Sequence, residues 1–270
     1  MLEALRFPFL VHALLTACFA AIVSAISGYF LISRGLTFAG HALPNIGFAG
    51  AAGAVLLGID PLYGLVTLTV GAGVIVGVAG SDIRERDVAT GVVMTFALGL
   101  GLLFLSLYAG YAARVYGILF GNILGVSSQD VTASGIASAL ILVVMAFLYR
   151  PLLFSTFDPA AAEARGVPVR LLSIVFMIVI AVAVSLAIQV MGALLVFTLL
   201  VGPPAAAVRL VKSPRAALLV SVALGLLYVF FGIFLAAEMG RVPVSFFIAT
   251  LSFLVYLPVR LLSPVGREVT

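Results

Sequence analysis

Two histidines, one cysteine and one lysine are nearly all that this 270-residue chain offers of the side chains that most often do chemistry. His12 and His41 form no HExxH metalloprotease helix, and the chain has no paired-histidine metal site of its own. Cys18 stands alone, which excludes an internal disulfide or a cysteine-built metal site. Lys212 lies in a Ser-Pro turn, and no GxxxxGK[ST] loop is present to cradle a nucleotide, so this chain does not hydrolyse ATP by that chemistry. A serine protease inside a membrane needs a serine set beside a histidine, a geometry that the spacing neither shows nor forbids.

One polar segment stands out, FDPAAAEARGVPVR from Phe157 to Arg170, flanked by apolar runs. Asp158 can cap a helix with Pro159 at its first position, Ala160 to Arg165 form its turns, and Gly166 stops it. Its alanines offer a small surface that another protein can approach closely. The alternatives are a docking helix for a soluble partner and a plain connection between two apolar helices.

The elements that must position these residues are membrane helices. The chain is 64% hydrophobic and 9% charged, with a mean hydropathy of +1.34; a soluble core cannot hide that much apolar surface. No Asp, Glu, Lys or Arg occurs from Arg6 to Arg34, Arg34 to Asp60, Asp60 to Asp82 or Asp87 to Arg114, nor across four later gaps. Each gap is set against the requirement of about 20 apolar residues for one crossing. The gap from Arg170 to Arg209 is too long for one helix and must turn near Gln189 and Met191. The pattern predicts an all-α polytopic bundle with nine spans near 9–33, 41–59, 62–80, 89–109, 131–149, 169–189, 192–208, 216–237 and 243–260, or eight if one early run is re-entrant.

The net charge of +4 does not mark a nucleic-acid binder, because the basic residues cluster at span ends. Simple alternation puts eleven of the fourteen on one side, leaving Arg6, Arg114 and Arg241 on the other. The positive-inside rule makes the larger group cytoplasmic and the N-terminus external. The N-terminal apolar run reads as a first span, since it continues to Ile32 without a convincing cleavage point.

Small residues recur at helical spacing in Gly47, Gly50, Gly53, Ala54 and Gly58, and again in Gly71, Gly73 and Gly77, as faces for close helix packing. Ser24, Ser27, Ser185, Gln189, Thr198 and Asn122 are expected to hydrogen-bond between helices. The stretch 111–130, with Gly117, Gly121 and Gly125 around a short apolar run, is a candidate half-helix entering from outside. Glu238 and Arg241 mark an external turn.

Four segments in order resemble the permease subunits of zinc/manganese-type ABC importers. They are RGLTFAGHALPNIGFAGAAGA (Arg34 to Ala54), YGILFGNILGVSSQD (Tyr116 to Asp130), FDPAAAEARGV (Phe157 to Val167) and MGALLVFTLLVGPPAAA (Met191 to Ala207). The resemblance covers nearly the whole chain and implies one permease domain, 1–270, of the type II ABC-importer kind. It makes 157–166 a cytoplasmic coupling helix that receives an ATPase, with Asp158, Ala162 and Gly166 in the coupling motif. The family's second span commonly carries an Asp and a His four residues apart; those places hold His41 and Asn45 here. Two residues at this spacing share a helix face, so the resemblance makes the pair candidate metal contacts on a translocation path. Imidazole suits zinc, whereas an amide oxygen is a weaker, harder ligand that carries no charge. The alternative for His41 is a hydrogen-bonded place within the bundle.

The resemblance further implies a bacterial plasma-membrane protein with no resident cofactor, working as two copies with two ATPase subunits that hold the ATP. An external metal-binding protein would deliver the ion, with zinc the leading cargo and manganese or chelated iron the alternatives. A secondary transporter driven by an ion gradient is the competing class, disfavoured by spans free of ionisable groups.

Overall fold

The computed structural model describes residues 8–78, 83–108, 126–239 and 242–262. Among these, everything regular is helical. The helices are α1 (Pro8–Ser33), α2 (Thr37–Leu56), α3 (Pro61–Val78), α4 (Ile83–Leu107), α5 (Ser128–Phe157), α6 (Pro159–Ala164), α7 (Val169–Met191), α8 (Ala193–Leu210), α9 (Pro214–Met239) and α10 (Val244–Leu262).

Burial sorts them into a centre and a periphery. α1 packs on α5, α7, α8 and α9, and α7 packs on α3 as well. α7 is 61% buried across its most apolar window, against 17% for both α4 and α10, which therefore present most of their surface outward. Apolar side chains such as Phe96, Leu102, Ile136, Phe147 and Phe253 stand exposed on the outer helices, as expected where the solvent is lipid.

Seven helices are long and apolar enough to cross a membrane among the described residues: α1, α3, α4, α5, α7, α9 and α10. This corrects the count of nine crossings. A charge-free gap identifies a helix but not the surroundings of that helix. α2 carries Gly40, His41, Pro44 and Asn45 and falls short on composition, while the described apolar run of α8 is Leu195–Leu210. α2 is buried along most of its length against α3, α4 and α8, so protein rather than lipid surrounds it. A helix interrupted by proline and polar groups is tolerated in such a place.

Several glycines do bring helices together. A methyl group added at Gly50 would meet the Gly64 carbonyl, and one at Gly64 would meet the Gly50 carbonyl, so α2 and α3 touch backbone to backbone. Gly47 faces Thr69 of α3, Gly53 faces Phe104 of α4, and Gly73 and Gly77 face Met177 and Ile174 of α7. Gly71 packs against nothing within 4 Å, and Gly58 serves the end of α2 instead, at φ +72°. There its N–H donates to the Val55 carbonyl and the Ile59 N–H donates to the Ala54 carbonyl, the paired closure that favours glycine.

The long apolar gap turns at Gly192, φ +80°, between α7 and α8. The side chains of Gln189 and Met191 lie outside the described residues, as do Asn122 and all but the last residues of the 111–130 stretch. The expected interhelical hydrogen bonds of three serines are not found. Ser185 turns back on the Ala181 carbonyl of its own helix at 2.8 Å, a local option always open to serine. The hydroxyls of Ser24 and Ser27 are buried without a partner.

Candidate functional site

α2 shows one uncovered stripe. Ala39, Gly40, Ala42, Leu43 and Pro44 are buried, whereas Phe38 and His41 are exposed and Asn45 is half-buried. Residues at spacings of three and four share a helix face, so the exposed imidazole and the amide stand one turn apart on the same side. The Asn45 amide Nδ2 donates to the His41 carbonyl oxygen at 2.9 Å and lies 3.9 Å from the Met94 sulfur of α4. With the nitrogen occupied in this way, the amide oxygen is the atom left to meet a cation. The His41 ring stands edge-on to Phe197 of α8, centroids 5.0 Å apart, which holds its plane. Pro44, one residue before Asn45, removes the N–H that would have bonded the Gly40 carbonyl.

Within one chain this is an open edge. No group of three or more His, Cys, Asp or Glu side chains that could hold a metal occurs among the described residues. His41 and Asn45 supply one nitrogen and one oxygen, half of a four-coordinate set or a third of an octahedral one.

The second candidate is built as the sequence predicts. Asp158 caps α6, its Oδ1 accepting from the Ala161 N–H at 2.9 Å, and Pro159 occupies the first turn. At the other end Gly166 has φ +81°. Its N–H donates to the Glu163 carbonyl at 2.9 Å, and the Val167 N–H donates to the Ala162 carbonyl at 3.0 Å, closing the helix. Six residues do not make a stable helix on their own, so both caps matter. Ala162 is fully buried, which makes it the seat of α6 on the bundle and not a contact for a partner. Asp158 and Gly166 are exposed but serve the caps, and the other exposed residues here are Phe157, Pro159, Ala160, Glu163, Ala164 and Arg165. Arg165 also lies over the Phe154 ring at 5.5 Å, tying the end of α6 back to α5.

A third feature escaped the reading of the sequence, in which Arg34 was one more charge at a span end. Its NH1 donates to Ser155 Oγ of α5 at 2.8 Å and its NH2 donates to Ser173 Oγ of α7 at 2.7 Å. Arg34 thus joins the α1–α2 turn to the two helices that flank α6. Burial, and then the neighbouring Arg86 charge, lower its pKa to about 10, so it stays protonated at neutral pH. No spacing rule links positions 34, 155 and 173; only the fold brings them together.

Comparison with known proteins places these features in a wider setting. The model of the ABC 3 transport family matches residues 6–263. The manganese import system permease protein ScaB of Streptococcus gordonii is 31% identical over 262 residues, covering 97% of this chain and 94% of that protein. A probable iron transport system membrane protein of Haemophilus influenzae is 31% identical over 214 residues, covering 79% of each. Among solved structures, PsaBC from Streptococcus pneumoniae in complex with Fab superposes with a TM-score of 0.86 at 28% identity, covering 99% of this chain and 96% of that one.

Proposed function

The chain belongs to the ABC 3 transport family, and from that premise we propose that it is the permease of an ATP-driven importer of a first-row divalent metal ion. As a multi-pass transport subunit of this family it is not an enzyme; the ATPase is a separate chain. The observation that carries the metal path is the uncovered stripe on α2. A helix otherwise enclosed by its own bundle leaves one imidazole and one amide oxygen at an open edge. Two copies meeting along this edge would bring two nitrogens and two oxygens to a shared path, in the plasma membrane of a bacterium. The external binding protein would deliver the ion at the far end.

Manganese is the cargo this reading favours. An amide oxygen is a hard donor, and the pair lacks the thiolates and multiple imidazoles that hold zinc tightly. A relative covering nearly the full chain is named for manganese. The expectation of zinc rests on His41 and on the resemblance to zinc/manganese-type importers. A path of few, weak ligands suits transport, since an ion that binds tightly does not leave.

α6 would convert the partner's ATP cycle into movement of the bundle. It is capped at both ends, seated by Ala162, and exposed on its other face. Short rigid helices of this kind transmit a push because they do not unwind under it. The test is metal uptake by the assembled transporter in liposomes. His41→Ala should lower ATP-driven manganese entry while the ATPase remains bound. Unchanged entry in that variant would remove His41 from the path.

A further inference from the structure

The α1–α2 turn borders a cavity of about 340 Å³, where Arg34 and Arg86 converge with Ser155, Thr156 and Ser173. Neither guanidinium hydrogen-bonds a carboxylate among the described residues. Arg34 is held by two neutral hydroxyls. Arg86 reaches only the Gly35 carbonyl, at 3.3 Å, and its Nε is buried without a partner. Asp87, the next residue, lies near enough for its charge to favour the Arg86 cation, but one of its carboxylate oxygens is buried without a hydrogen-bond partner. Desolvated charges are ordinarily paired, and two like charges at one cavity oppose each other unless an anion lies between them.

The remaining donors define that anion. The four lining hydroxyls already give their protons to helix carbonyls: Ser33 to Tyr29, Ser155 and Thr156 to Leu152, and Ser173 to Val169. Only guanidinium N–H groups are left to donate, and their planar forks match an oxyanion. The cavity is partly open, with Ser155 2% and Leu36 3% exposed but Gly35 and Pro159 at its rim exposed, and its size suits a small group. Leu36, Val76 and Met177 add an apolar side that tolerates the carbon of an ester.

We infer that this cavity binds a phosphate group, either free phosphate or the phosphodiester of an anionic lipid, clamped between Arg34 and Arg86. The bound anion would join the α1–α2 turn and the start of α4 to the ends of α5 and α7 beside α6, and so stiffen the seat of the coupling helix. This assignment does not depend on which metal is carried.

The test uses the full chain in phosphatidylcholine nanodiscs. One arm titrates inorganic phosphate at constant ionic strength, with chloride as the control; the other replaces part of the lipid with phosphatidylglycerol in phosphate-free buffer. Binding raises the thermal unfolding midpoint in proportion to occupancy. At least one arm should raise it in the wild type, the phosphate arm identifying a free ion and the phosphatidylglycerol arm a lipid. Arg86→Gln should weaken the response at least about tenfold in half-saturating concentration, as loss of a charged fork predicts. Should Arg86→Gln not fold, Arg86→Lys carries the test, with a weakening of about threefold because a point charge replaces the fork. A wild-type midpoint unmoved by both arms overturns the inference, including the case in which an acidic side chain of the ATPase fills the cavity. Equal responses from wild type and variant overturn it too.

Discussion

At the scale of single residues, His41 carries the strongest expectation because it is the only imidazole on the open edge of α2. His41→Ala should reduce metal uptake about tenfold, and Asn45→Ala only about two- to threefold, since an amide oxygen is the weaker ligand. His41→Asp should keep part of the transport and move the preference further toward manganese, read as competition between manganese and zinc for entry. The pair is singled out in the sequence only by the resemblance to a family motif, because composition and spacing alone allow a packing role equally. Arg34 was not legible at all. Its two serines lie 121 and 139 residues away in the chain, and nothing local marks them. Lysine cannot span both hydroxyls, so Arg34→Lys should destabilise the fold by about 1–2 kcal/mol, reduced from the full value of the lost charged hydrogen bonds because the site is only partly buried. The thermal midpoint of the purified chain measures it.

Helices and their contacts set the next scale. The caps of α6 were readable from residue type, since Asp, Pro and Gly at those three positions have local physical roles that little else can override. Gly166→Pro removes the N–H bonded to Glu163 and forbids a φ of +81°, so it should abolish ATP-driven uptake while the chain still inserts and the spans persist. Gly166→Ala meets no neighbour within 4 Å, so it isolates the backbone strain, about 1–2 kcal/mol for a left-handed alanine, and should impair coupling less. The small-residue faces were partly readable. Periodicity gave Gly50 and Gly71 the same status, yet only Gly50 lies against another backbone. Gly50→Val should therefore lower the thermal midpoint by the equivalent of about 1–3 kcal/mol through overpacking, whereas Gly71→Ala should leave it unchanged or raise it by up to about 1 kcal/mol of helix propensity.

For the whole molecule, charge-free gaps located every long helix that the structure describes but did not say which of them face lipid. That distinction depends on packing, and α2 shows why: its glycines, His41, Pro44 and Asn45 lower its hydropathy because α3, α4 and α8 shield it. The side of the membrane is a separate prediction. Reporters fused after Arg215 or at Thr270 should be cytoplasmic, and one at Glu238 external, with opposite signals refuting the charge-based orientation. The central claim, a permease that moves a divalent metal at the expense of ATP hydrolysed on another chain, is tested most directly by reconstitution. The chain would be assembled in liposomes with its ATPase and external binding protein, and manganese entry followed with and without ATP. The account predicts ATP-dependent manganese accumulation, lost in Gly166→Pro and strongly reduced in His41→Ala while the ATPase stays bound. Divalent metal entry that is equal with and without ATP, or absent for manganese, zinc and iron alike, would contradict it.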